Sequence, residues 1–244
     1  MKRIFGSLFC VIASMILCAP AAHAVVVVDY DGSLSAVGGG LTATEQWATS
    51  GVFTWHVEFD DATGFWTYNY NYTAGAKNIS HIEVEVSDNF TADDFEAGTS
   101  AHALDDPTTY GPGLHGGSDS GIPGNFYAVK FTPISDTLSH DFTIVTERAP
   151  VWGDVFGRDG KNDQNDVYFY NTGFLAADPA NAPGDGSVNN HILRPDTHTG
   201  CLESDGCVPP PPPQDGPAVP EPSSLLLLGS GLAGALGFSK RRRK

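Results

Sequence analysis

The sequence predicts an all-β fold, a β-sandwich of the jelly-roll kind, over residues 25–207 of a 244-residue chain. Three observations carry this expectation. Apolar residues alternate with period two in several short segments, clusters of Gly, Asn, Asp and Pro bound those segments, and no helical stripe occurs outside the two ends of the chain.

In chain order the strands are expected at 25–30, 52–59, 65–73, 79–86, 126–132, 138–146 and 167–171, with weaker ones near Leu41 and Val151. Many short strands separated by turn signals are the pattern of two packed antiparallel sheets. The stretch 88–124 is rich in Gly, Asp, Ser and Thr, and reads as loops around at most one short helix near 93–97. Beyond Phe174 the chain turns polar and rich in Pro and Gly.

The ends carry a different message. Residues 1–24 place Lys2 and Arg3 before an apolar stretch and end in Ala22-His23-Ala24, the form of a secretory signal cleaved after Ala24. Lipidation at Cys18 is not expected, because Ile16-Leu17 precedes it where a lipobox needs a small residue. Residues 208–218 form a Pro-rich linker whose consecutive prolines favour an extended polyproline II spacer. Residues 219–244 hold Val219-Pro220-Glu221-Pro222, an apolar run at 223–238, and the cationic Lys240-Arg241-Arg242-Arg243-Lys244. As a helix that run would be roughly 24 Å long, against about 30 Å of hydrocarbon, so a single short and marginal transmembrane helix is expected there. The basic terminus would stay on the cytoplasmic side, leaving Pro220-Glu221-Pro222 on the periplasmic side.

This motif, span and basic cap, in that order, resemble the PEP-CTERM sorting signal of Gram-negative bacteria. The resemblance implies that Pro220, Glu221 and Pro222 are recognised by an exosortase, a membrane transpeptidase-like enzyme, after export through the Sec translocon. It also implies transient anchoring in the inner membrane, release to the cell surface or exterior, and an association with exopolysaccharide and biofilm matrix. Three ectodomain blocks resemble, more loosely, ectodomains that carry the same signal and have no assigned activity: Asn78-Ile79-Ser80-His81, Pro150-Val151-Trp152-Gly153-Asp154 and Tyr170-Asn171-Thr172-Gly173-Phe174.

Between the two ends stand six cations, Lys77, Lys130, Arg148, Arg158, Lys161 and Arg194, against 28 acidic residues. Such a surface repels nucleic acid and anionic lipid, so neither is an expected partner. Cys201 and Cys207 are the cysteines outside the signal. An even pair so close together in an oxidising compartment reads as a disulfide, stabilising by roughly 2 kcal/mol.

Two segments are candidate binding sites. Asp159, Asp163, Asn165 and Asp166 concentrate oxygen ligands in one loop, a candidate calcium site, although the spacing is not that of an EF-hand and a plain hydrophilic hairpin has the same composition. Trp66, Tyr68, Tyr70 and Tyr72 share one face of a strand. That face would either stack on sugar rings or fill the core. No Gly-x-Ser-x-Gly elbow, His-Glu-x-x-His pair or phosphate-cradling loop occurs, and the histidines are scattered. The sequence therefore predicts a non-enzymatic exported surface or matrix protein with no catalytic residues. The alternatives are a glycan-binding module using Trp66, Tyr68 and Tyr70, and a secreted hydrolase.

Overall fold

Residues 28–100, 106–159 and 166–199 are described by a computed structural model. Their strands form three antiparallel sheets. The first runs β1 (Val28–Ser35), β3 (Val52–Asp60), β4 (Phe65–Thr73), β8 (Ser139–Thr146) across its width. The second runs β2 (Leu41–Ala43), β11 (Tyr168–Asn171), β10 (Val155–Asp159), β5 (Ile79–Glu85), β7 (Phe126–Phe131), β6 (Thr108–Tyr110). A ribbon of β9 (Arg148–Gly153) and β12 (Ile192–Thr199) is the third.

Local chemistry explains the tightest hairpin. Between β3 and β4 the Asp60 carboxylate accepts from the Ala62 amide at 2.9 Å and from the Thr63 hydroxyl at 2.9 Å. Gly64 then takes the left-handed conformation, φ +78°, that closes the turn. Those hydrogen bonds hold the Asp60 carboxyl below its usual pKa.

Alternation sets which face of each strand is buried. From β3 and β4, Phe53, Trp55, Val57, Trp66, Tyr68, Tyr70 and Tyr72 point inward. They meet Ile82, Val84, Val129, Phe131, Val155 and Phe169 of the second sheet. Tyr72 stacks on Phe169 with ring centroids 3.9 Å apart, and Phe131 on Phe142 at 4.5 Å, so the two larger sheets lie face to face. The ribbon closes one side: the Tyr68 hydroxyl donates to the Arg148 carbonyl at 2.7 Å and the Tyr70 hydroxyl to the Leu193 carbonyl at 2.9 Å. On its far side the second sheet carries a smaller core of Tyr110, Ile122, Phe126, Ala128, Phe156 and Phe174.

Several expectations need correction. The described chain is all-β, but its strand order is not a jelly roll: sequence neighbours β3 and β4, β6 and β7, and β10 and β11 pair as hairpins within one sheet. Among the described residues no helix is long and apolar enough to cross a membrane. The expected transmembrane helix, and the transient membrane anchoring that rested on it, therefore have no counterpart in the described structure; segment 223–238 lies outside the described residues. The helix expected at 93–97 is one 3₁₀ turn, Ala92–Asp94. Three strands were not foreseen: β6, β10 and β12. The signal cleavage site at Ala22 and Ala24, the Cys201 and Cys207 pair, the linker 208–218 and Pro220-Glu221-Pro222 also lie outside the described residues.

The loop after β5 is tied to the start of β9 by one cation. Arg148 donates through Nε and Nη2 to Asp94 Oδ1, at 2.9 and 2.7 Å, and through Nη1 to Asn89 Oδ1 at 3.1 Å. Its guanidinium also lies over the Phe90 ring at 5.6 Å. Replacing Arg148 with Met takes the cation from the half-buried Asp94, whose Oδ2 keeps its hydrogen bonds from Thr91, and is expected to cost about 2 kcal/mol in urea unfolding. A loss within experimental error of zero would show that the loop is held by its apolar contacts alone.

Candidate functional site

A polar cluster forms where β5, the β9–β10 junction, the end of β11 and the start of β12 converge. Glu85 ends β5, Asp154 sits between β9 and β10, Asn171 ends β11, and His191 and Arg194 lie at the entry of β12. Asp178 reaches in from the segment that follows β11.

The backbone is shaped to allow this. A Cβ on Gly153 would lie 2.1 Å from Arg194 Nε, and one on Gly173 would lie 2.6 Å from both the Asn189 carbonyl and His191 Cε1. Asn189 and Asn190, at φ 51° and 61°, then turn the chain into β12 in a conformation that Asn tolerates better than most residues.

The hydrogen bonds assign each group a role. Glu85 Oε2 accepts from the Asp154 amide at 2.8 Å. Asn171 donates to Asp154 Oδ1 at 2.7 Å and to the Asn190 carbonyl at 2.9 Å, while its own oxygen accepts from the Val155 amide. Arg194 Nη2 donates to Asp178 Oδ2 at 2.9 Å and lies 3.4 Å from Glu85 Oε1; its Nη1 donates to Ser87 Oγ at 2.9 Å. His191 is wholly buried, and its Nδ1 faces the Val188 carbonyl at 3.3 Å. Among the described residues its Nε2 finds no hydrogen-bond partner, and it points between Asp154 Oδ1, 3.6 Å away, and Asp178 Oδ1, 3.7 Å away.

Electrostatically the cluster has an excess of carboxylates. Burial pushes Asp154 up to about 8, against the Asn171 hydrogen bond, and Glu85 up to about 7, against the Arg194 charge. Burial opposes the charge on Arg194, but Glu85 and Asp178 outweigh it and hold its pKa above the usual value.

Asp154, Asp178 and His191 form one of two groups among the described residues with the spacing of a metal-binding set. The other, Asp29, Asp31 and His56, lies mostly exposed on the outer face of the first sheet. There His56 pairs across the strands with Asp31 at 2.9 Å, a hydrogen bond that raises the imidazole pKa. Among the described residues these two clusters could coordinate a metal ion. Of the candidate calcium set, Asp163 and Asn165 lie outside the described residues. Asp166 is engaged by Arg158 Nη2 at 3.0 Å and by the Ser120 hydroxyl. Asp159 is buried at the end of β10, and that burial raises its pKa.

The aromatic candidates are equally plain in position. Trp66, Tyr68 and Tyr70 are 4, 0 and 2 % exposed, so the rings a glycan would stack on are turned into the core. Two of the blocks singled out in the sequence do meet in the cluster: one supplies Gly153 and Asp154, the other Asn171 and Gly173. Asp178, His191 and Arg194 were not foreseen as site residues. Their segment reads as polar loop, and the signal for a built turn there is the Asn189-Asn190 pair just before His191.

A family model for the PEP-CTERM protein-sorting motif matches residues 218–243. The chain therefore carries a short C-terminal PEP-CTERM sorting motif, which implies interaction with an exosortase during sorting. Neither a curated protein nor a solved structure matches the chain.

Proposed function

We propose that the chain is an exported protein, delivered by the Sec translocon and sorted by an exosortase, that serves without catalysis at the cell surface or in the exopolysaccharide matrix. The observation that carries this reading is the sorting motif at 218–243. Two features of the sequence support it: a secretory-type leader at 1–24 and an excess of acidic residues suited to a hydrated exterior. The exopolysaccharide association follows from the type of organism in which such motifs are used.

C-terminal peptide mapping by mass spectrometry tests the sorting step. In cells that contain an exosortase the mature protein is expected to lack peptides beyond Pro222, whereas the Glu221→Ala variant, or deletion of the exosortase, is expected to retain them. Finding the sequence through Lys244 on the mature protein of exosortase-containing cells would overturn the reading. Turnover by the purified protein in a panel of polysaccharide substrates would replace the non-catalytic role with a hydrolase.

A further inference from the structure

The geometry points to a structural transition-metal site at Asp154, Asp178 and His191, selective for a zinc-like divalent ion over calcium. Four observations converge on it. First, a carbonyl oxygen only accepts, so the contact of His191 Nδ1 with the Val188 carbonyl places the ring proton on Nδ1. In the neutral ring Nε2 is then a lone pair, wholly buried, aimed at two carboxylate oxygens.

Second, that arrangement is repulsive unless a proton or a metal ion lies between the three atoms, and the spacing tells which. The gaps of 3.6 and 3.7 Å exceed the roughly 2.9 Å to which a shared proton would draw nitrogen and oxygen together. Two ligands at about 2.0–2.1 Å from one tetrahedral metal stand roughly 3.4 Å apart, close to what is seen.

Third, each ligand has the supporting partner that metal ligands have. Asn171 donates to Asp154 Oδ1, Arg194 holds the other oxygen of Asp178, and the Val188 carbonyl orients His191. Fourth, the donor set discriminates. Calcium takes six to eight oxygens and gains little from imidazole, whereas one nitrogen and two carboxylates suit zinc, with a fourth position left for water.

The ion would join β12 and the Asp178 segment to the β9–β10 junction. β12 is already paired with β9 and sends Ile192 and Leu193 into the core, and the ion would add a tie to the Asp178 segment, which Arg194 otherwise holds; a cation bound only in the folded state stabilises the fold.

The test uses the full chain, stripped with a chelator and then melted with zinc, with calcium or with neither, together with metal analysis of the protein after zinc loading and desalting. About one equivalent of retained zinc is expected, with a melting temperature raised by zinc and not by calcium. Asp178→Asn, at the partly exposed ligand, is expected to weaken zinc binding about tenfold or more. The readout is the zinc-dependent change within each protein, so loss of the Arg194 contact in the variant does not confound it. Asp166→Asn, in the loop where calcium was expected, is the control and leaves zinc binding as in the wild type. Zinc retained well below one equivalent with unchanged melting, an equal response to calcium, or an effect of Asp166→Asn matching that of Asp178→Asn would each overturn the assignment.

Discussion

Truncating Tyr70 to alanine is expected to destabilise the protein by about 4 kcal/mol, and Tyr70→Phe by about 1–2 kcal/mol. The ring is 2 % exposed, stacks on Phe142 at 5.2 Å and lies 5.8 Å from Phe53, so removing it opens a cavity between the two large sheets. Its hydroxyl is the donor to the Leu193 carbonyl, and either substitution leaves that acceptor buried without it. The phenylalanine variant keeps the packing and isolates the hydrogen bond. Urea unfolding of the three proteins at one pH measures both steps. An alanine variant within about 1 kcal/mol of wild type would mean that the strand face is not the core. A folded Tyr70→Phe protein that specifically loses polysaccharide binding would restore the sugar-stacking role.

The second large effect concerns pH. Glu83 lies on β5 opposite Phe156 and Lys130, on the face of the second sheet away from the main core, and is 0 % exposed. Among the described residues neither carboxylate oxygen has a hydrogen-bond partner, and His81 Nε2 is 3.3 Å from one of them. Burial, with a smaller contribution from Asp119, raises its pKa to about 8, while Lys130, His115 and Arg158 oppose the shift. Because the folded pKa stands above the unfolded one, the folded state favours the protonated acid. The associated stability is full below about pH 4.5 and is lost as pH rises toward 8, by on the order of 4 kcal/mol. Glu83→Gln keeps the shape and cannot ionise, so it should match wild type near pH 4 and exceed it increasingly up to pH 9. Asp154 and Glu85 also have raised pKa values, but they titrate in both proteins and cancel in the difference. A wild-type-to-variant gap that stays constant from pH 4 to 9 would show that Glu83 does not ionise in this window.

The strands that could be read in advance are those with one wet face. β4 occupies the expected Phe65–Thr73 because Thr67, Asn69 and Asn71 face outward between its buried aromatics, and β3 and β8 alternate in the same way. β10 escaped because every one of its residues is buried: the main core covers one face and the smaller core around Phe156 the other. A strand covered on both faces writes no alternation, and Gly157-Arg158-Asp159 in its second half resembles a turn. β12 was hidden by its polar composition and by Pro195, which a two-stranded ribbon tolerates where a central strand would not.

The candidate site shows the same division. A sorting motif is contiguous and is read by its enzyme as a linear segment, so Pro220, Glu221 and Pro222 were legible without any coordinates. So were the all-β character, which follows from local periodicity, and the aromatic strand with its two possible destinations. Only the tertiary structure decided that this aromatic face is core, because the choice depends on whether a second sheet covers it. It alone decided that His191, among the scattered histidines, meets Asp154 and Asp178. Those three side chains come from different parts of the chain, and they are brought within reach by strand pairing and by the Asn189–Asn190 turn rather than by sequence spacing.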